Sequence, residues 1–257
     1  MGRVISIVNQ KGGVGKTTTA INLSSCIAVA EKRVLLIDID PQANASSGLG
    51  VRLEEDDDSV YEVILSDSDI KSPIVKTNVP HLDVLPSNIR LVGAEVELVD
   101  IPEREMKLKK AIREIKDDYD YIFIDCPPSL GLLTLNALSA SDTVLIPIQC
   151  EYYALEGLSQ LLNTIHLVQK GLNKDLKLEG VLLTMYDNRL NLCNQVVSEV
   201  REYFKDKVYK TVVNRNVRLG EAPSFGKPII MYDAVCIGSQ NYMNLAKEVI
   251  GEENKAD

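Results

Sequence analysis

One stretch near the start restricts this chain more than any other: an apolar run over residues 4–8, then Lys11-Gly12-Gly13-Val14-Gly15-Lys16-Thr17-Thr18, then a helical pattern opening on Thr19, Ala20 and Ile21. The run is short and rich in β-branched residues, which reads as a buried strand. Gly12, Gly13 and Gly15 let the backbone curl so that successive N–H groups face one concavity, and the following helix adds the partial positive charge of its N-terminus. A strand feeding a helix through such a loop is the first half of a βαβ unit, so the chain needs a parallel sheet with helices packed on it. Polyphosphate is the natural occupant of the loop. Lys16 is placed to reach its β- and γ-phosphates, the Thr17 hydroxyl to ligate magnesium, and Thr18 to hold the α-phosphate. Gln10 stands where the general GxxxxGK[ST] pattern has its first glycine, and Lys11 fills the next position.

The remaining chain keeps that rhythm. Apolar runs at residues 34–37, 82–85, 121–124, 143–148, 180–185 and 208–213 read as further strands, and helical periodicity fills 17–30, 106–116, 132–139, 155–170, 193–204 and 242–250. Most strands are apolar on both faces, which points to a single α/β domain over 1–250: a largely parallel twisted sheet covered by helices on each side, of the P-loop NTPase type. Residues 251–257 read as a flexible polar tail. In such sheets, ligands sit at the carboxyl ends of strands.

Two of those ends are acidic. Asp125, closing the run 122–124 and followed by Cys126-Pro127-Pro128, reads as the carboxylate that holds a magnesium-bound water. Asp38 and Asp40 close the run 34–37 and bring two more carboxylates to the loop, one of which can act on water. The blander reading is that these aspartates cap strands or helices.

Composition narrows the setting. The 257 residues are 45% hydrophobic and 25% charged, an ordinary globular balance long enough for a substantial core. Cys26, Cys126, Cys150, Cys193 and Cys236 form no CxxC pair and lie in apolar segments, as reduced thiols of a cytoplasmic protein do. No apolar stretch reaches membrane-spanning length, so no membrane is expected as a partner. Met1-Gly2 with Ser6 fits a myristoylation pattern, but Ser6 falls inside the first strand and the match is set aside. The acidic run 54–58 reads as a solvated loop, and His81 and His166, far from other ligand-type residues, as structural. A net charge of −9 means that nucleic acid could be met only by a local patch.

Lys11-Gly12-Gly13-Val14-Gly15-Lys16-Thr17-Thr18, Asp38-Ile39-Asp40-Pro41-Gln42-Ala43-Asn44, Asp125-Cys126-Pro127-Pro128 and Arg218-Leu219-Gly220-Glu221-Ala222-Pro223-Ser224-Phe225-Gly226-Lys227-Pro228 together resemble the ParA/Soj family of chromosome and plasmid partition ATPases, of the deviant Walker A group. The resemblance covers nearly the whole chain and is to the short form, without an N-terminal helix-turn-helix extension. It implies that ATP with Mg2+ is sandwiched in a homodimer, Lys11 being the signature lysine that reaches the partner's phosphates. It also implies that Asp40 orients or activates the attacking water, that Asp38 supports it, and that Glu151 touches ribose. Adenine would be held by the loop at 214–216, where Asn216 offers an amide and Asn214 replaces the family's usual proline.

By the same resemblance the ATP dimer binds double-stranded DNA without sequence preference through arginines matching Arg189 and Arg218, and a ParB-type centromere-binding protein stimulates slow hydrolysis through its basic N-terminal segment. Residues 205–218 hold Lys205, Lys207, Lys210, Arg215 and Arg218 against Asp206 alone, a basic patch in an acidic chain. Localisation would be cytoplasmic and nucleoid-associated. Three rivals share the fold. A membrane-cycling division-site ATPase would need a basic amphipathic C-terminal helix, whereas the residues here end Gly251-Glu252-Glu253-Asn254-Lys255-Ala256-Asp257. A nitrogenase-iron-protein-like redox enzyme would need cluster cysteines that Cys126 and Cys150 do not resemble. A metabolic amide-forming or carboxylating ATPase would turn over without DNA.

Overall fold

The structure is a computed structural model that describes residues 2–54, 56–66, 68–151 and 158–253, the side chains of 252 and 253 aside. In chain order β1 (Arg3–Ile7) leads into α1 (Lys16–Val29), and β2 (Val34–Asp38) into two short helices, α2 (Asn44–Gly48) and α3 (Val60–Leu65). A two-residue β3 (Val75–Lys76) and β4 (Leu82–Leu85) precede α4 (Leu91–Glu97) and α5 (Lys107–Arg113). Strand and helix then alternate: β5 (Tyr121–Asp125), α6 (Leu132–Ala140), β6 (Thr143–Gln149), α7 (Leu158–Gly171), β7 (Lys177–Tyr186), α8 (Asn191–Phe204) and β8 (Val208–Asn214). The described chain closes with α9 (Val217–Glu221), α10 (Ile229–Tyr232) and α11 (Ile237–Glu253).

The eight strands form one sheet in the order β3-β4-β2-β5-β1-β6-β7-β8, parallel except for β3. Successive side chains of the central strands point to opposite faces and fill two separate cores. Leu35, Ile37, Ile122 and Ile124 face the layer of α3 to α8, while Val34, Leu36, Tyr121 and Phe123 face α1 and α11. That double burial is why these strands read as continuous apolar runs.

All seven strands expected from the sequence are present, and β3 is the addition. It is short and sits at the edge, so it buries no apolar run that could have marked it. The short helices α2, α3 and α4 lie where no helix was expected, too brief to show a helical period. The capping box of α3, in which Ser59 and Glu62 satisfy each other's backbone, was nonetheless legible as Ser59-x-x-Glu62 before an apolar run. Helix α11 runs to Glu253, past the boundary of the expected polar tail, whose residues 254–257 lie outside the described ones. The opening of the helix expected over 155–170 likewise falls on residues outside the described ones.

One contact ties distant parts together. Gly50, just past α2, and Gly226, between α9 and α10, both have left-handed backbone (φ +79° and +62°), and a Cβ on Gly226 would stand 2.8 Å from the Gly50 Cα. No other residue fits either position.

Candidate nucleotide site

The parallel strands deliver their carboxyl ends to one edge, where β1 meets the glycine loop. Gly13 and Gly15 adopt φ of +74° and +87°, and nothing lies within 4 Å of where a Cβ would stand on Gly12 or Gly13, so the loop forms an open cradle of backbone. Its frame is fixed from beneath: the Asn9 side chain donates to the Pro147 carbonyl at 2.7 Å and accepts from the Lys11 N–H at 3.0 Å, while Thr184 donates to the Val14 carbonyl at 2.9 Å. The Lys16 Nζ donates to the Lys11 carbonyl at 3.0 Å, which holds the ammonium across the mouth of the cradle. Thr17 and Thr18 follow in the first turn of α1, half-buried.

Three carboxylates stand beside this loop. Asp38 and Asp125 are register partners on β2 and β5, and both are fully buried. Asp38 is well bonded: it accepts from the Ser46 N–H at 2.8 Å, the Ser46 hydroxyl at 2.7 Å and the Asp40 N–H at 3.1 Å. Burial still pushes its carboxyl up to about 6, against the pull of those donors. Asp40 is nearly buried and accepts from the Gln42 N–H at 3.0 Å, so Asp38 positions the backbone of Asp40.

Asp125 is different in kind. Neither of its oxygens has a hydrogen-bond partner of good geometry, although the Thr17 hydroxyl is near enough to favour the charged form. Burial, then the neighbouring Asp38, raise its carboxyl well above the usual range. Burial also lowers the Lys16 ammonium, opposed by Asp125, Cys126 and Asp40. A buried carboxylate without donors, beside a threonine hydroxyl and a phosphate cradle, is the donor set a divalent cation with its waters would satisfy.

Beyond the loop, a largely apolar cavity of about 500 Å³ opens between Gly15, Thr18 and the segment after β8, lined by Val213, Asn214, Val217 and Leu219. Asn214 donates its N–H to Asn241 at 3.0 Å. Asn216, which also lines the cavity, caps α9 by accepting from the Arg218 N–H at 2.8 Å. Glu151 accepts from Gln149 at 2.5 Å and lies 3.6 Å from Arg215, which brings it to the cavity's rim from the end of β6.

Arg189 lies on the loop after β7 and Arg218 in α9, the short helix after the neighbouring strand β8, and both are exposed. Each carries a carboxylate: Arg189 is bidentate on Asp187 (2.9 and 2.6 Å), and Arg218 bonds Glu221 at 2.9 Å with Asp233 at 3.6 Å. The Lys11 side chain, by contrast, has no ion pair or hydrogen bond among the described residues, and Gly12 and Gly13 beside it are exposed. Sequence reasoning missed Ser46, Thr184 and Asn9, whose roles depend on long-range contacts that no local pattern announces. Cys236 is half-buried rather than buried; the other four cysteines are buried, and all five are free. Among the described residues no His, Cys, Asp and Glu cluster could hold a metal by itself, and no helix is long and apolar enough to cross a membrane.

Fold and loop define a P-loop NTPase, and residues 2–178 match the family described as AAA domain. The chain is 62% identical over 249 residues to the sporulation initiation inhibitor protein Soj of Bacillus subtilis, covering 97% of this chain and 98% of that one. It is 58% identical over 250 residues to the chromosome partitioning protein ParA of Myxococcus xanthus, with 97% and 88% covered. Among solved structures, cobyrinic acid a,c-diamide synthase from Mycobacterium smegmatis with bound ADP and magnesium matches at a TM-score of 0.88 and 36% identity, covering 100% of this chain and 97% of that one. A putative plasmid partition protein from Borrelia burgdorferi bound to AMPPNP matches at 0.83 and 27%, covering 98% and 100%. This chain belongs to the ParA/Soj family of chromosome-partitioning ATPases.

Proposed function

We propose that the chain is an ATP-dependent dimerising switch for DNA segregation. ATP lies with its phosphates in the cradle of Gly12 to Thr18 and its base in the cavity at 213–219, and Asn216 donates its amide hydrogen to the adenine edge. Thr17 and, through water, Asp125 hold Mg2+, which neutralises charge on the phosphates when bound. Asp40, fixed by Asp38, orients the attacking water, while Lys16 faces the β- and γ-phosphates.

The observation that carries the switch is Lys11: a cation beside the exposed glycines of the loop whose side chain has no ion pair or hydrogen bond among the described residues. Supplied across a twofold axis, it would add positive charge to the partner's transferring phosphoryl group, so that hydrolysis waits for dimerisation. Arg189 and Arg218, on the segments that follow the neighbouring strands β7 and β8, then form one DNA-facing edge per protomer. Two edges in a dimer would double the phosphate contacts and steepen affinity accordingly. A ParB-type partner, basic at its N-terminus, would accelerate hydrolysis and reset the cycle on the nucleoid.

The amide-forming alternative rests on a fold match of TM-score 0.88 at 36% identity, against 62% and 58% identity to Soj and ParA. The discriminating experiment is sedimentation and DNA binding in ATP, ADP and no nucleotide. Asp40→Ala should give an ATP-dependent dimer that stays on DNA, Lys11→Ala a monomer that does not bind it, and Arg218→Glu a dimer without DNA. A monomer in saturating MgATP for both the parent and Asp40→Ala would overturn the reading.

A further inference from the structure

Helix α4 is apolar on two opposite sides. Leu91, Ala94 and Leu98 enter the core, while Ile89, Val92, Val96 and Val99 are 70%, 58%, 75% and 52% exposed. Their spacing of three, four and three residues puts these four in one stripe along the solvent side. A stripe of branched aliphatic side chains on a charged surface marks an interaction site more often than chance exposure.

The border of the stripe is acidic. It carries Glu97 at the end of α4 and Asp100 in the turn just past it, both exposed; beyond the start of α4 lie the exposed Asp56, Asp57 and Asp58, held there because Arg90 donates to the Asp57 carbonyl at 2.8 Å. Of the cations nearby, Arg90 pairs with Glu62 at 2.8 Å and lies over the Tyr61 ring, and Arg104 pairs with Glu105 at 3.1 Å. An apolar strip framed by exposed carboxylates complements a basic amphipathic helix.

The helix also touches the nucleotide site at two points. Just before it, the Ser87 N–H donates to the Ser46 hydroxyl at 3.1 Å, and Ser46 in turn donates to Asp38. In its middle, Glu95 turns inward with one oxygen buried and unbonded, pressed so closely on Gly131 that any side chain there would collide with it. Gly131 closes the loop that follows Asp125. The turn before α4 and its Glu95 thus adjoin the segments that follow the β2 and the β5 carboxylates.

We propose that the outer face of α4 is the docking surface for a basic amphipathic segment of the partner that stimulates hydrolysis. This rests on the partner reading above and adds where the segment binds and how it is felt at the site. The side chains of the stripe are solvent-exposed, so Val92→Asp with Val96→Asp leaves the core intact. The probe is a synthetic basic amphipathic peptide with the sequence of the N-terminal segment of a ParB-type protein, titrated into the full-length protein with MgATP and DNA.

The double variant should keep basal ATPase, ATP-dependent dimerisation and DNA binding within about twofold, while the half-maximal peptide concentration rises at least roughly tenfold, as loss of a central apolar anchor implies. Glu95→Gln should leave peptide binding by fluorescence anisotropy unchanged but reduce the stimulated rate, because it acts through Gly131 rather than on the peptide. Equal stimulation of parent and double variant overturns the α4 surface and leaves the partner reading standing. A peptide that neither binds nor stimulates the parent overturns both. A nucleotide-free parent that self-associates through residues 92 and 96, shown by loss of that association in the variant, makes the stripe a self-contact and also overturns the proposal.

Discussion

The two ends of the sheet treat charge in opposite ways. At the amino ends of the strands, several charged groups have a counterpart: Arg3 with Glu179, whose side chain is wholly buried, Arg33 with Asp120 at 2.9 Å, Lys116 with Asp142 at 2.8 Å and Lys76 with Asp83 at 2.8 Å. At the carboxyl ends, Asp38, Asp40 and Asp125 crowd around one buried lysine, and the Asp125 oxygens lack donors. One end is arranged for the isolated chain, the other for a chain with cation and phosphates in place. Stability is given up where binding is to be gained.

The sharpest way to break this contrast is Lys16→Ala, which should weaken nucleotide binding on the order of a hundredfold or more by removing the charge-assisted contact, as read by fluorescent-nucleotide titration. At the opposite end Arg3→Ala should cost about 2 kcal/mol in urea unfolding, because it strands the buried Glu179 carboxylate, with nucleotide affinity unchanged. Next comes a substitution of opposite sign: Asp125→Asn should stabilise the nucleotide-free, metal-free protein by roughly 1 kcal/mol, since it removes an unmatched buried carboxylate, and should abolish the magnesium dependence of ATP binding.

That gain should depend on pH. With its folded-state value raised, Asp125 contributes stability in its protonated form, present at low pH and lost as pH rises through the folded value. The difference in Tm between Asp125→Asn and the parent should therefore be small near about pH 4 and widen toward neutrality; a difference that narrowed instead would contradict the unmatched-charge account. The smallest effect belongs to the exposed pair Arg33 and Asp120, where Arg33→Ala should leave the unfolding midpoint within error.

How much of this was legible beforehand depended on the range of the interaction. The strand, glycine loop and helix at 3–29 are contiguous, so composition alone marked them, as it did the double-sided strands β2 and β5. Asp38, Asp40 and Asp125 could be named because strand ends in a parallel sheet share one edge. What was hidden came from contacts distant in sequence: Thr184 on the loop carbonyl, Ser46 on Asp38 and Glu95 on Gly131. Asn216 shows a different gap, since its residue type suits both a base contact and a helix cap, and only the fold shows that its oxygen is spent on the cap. The short helices α2 to α4 lacked the length for a period to emerge.

The touching backbones of Gly50 and Gly226 leave no slack between the stretch that descends from Asp40 and the stretch that carries Arg218. If γ-phosphate draws the first inward, the second must follow or separate, as two plates riveted at a single point share every small displacement. A shift in the stretch after Asp40 would thus press on the segment that carries Arg218 through backbone packed on backbone, with no side chain between.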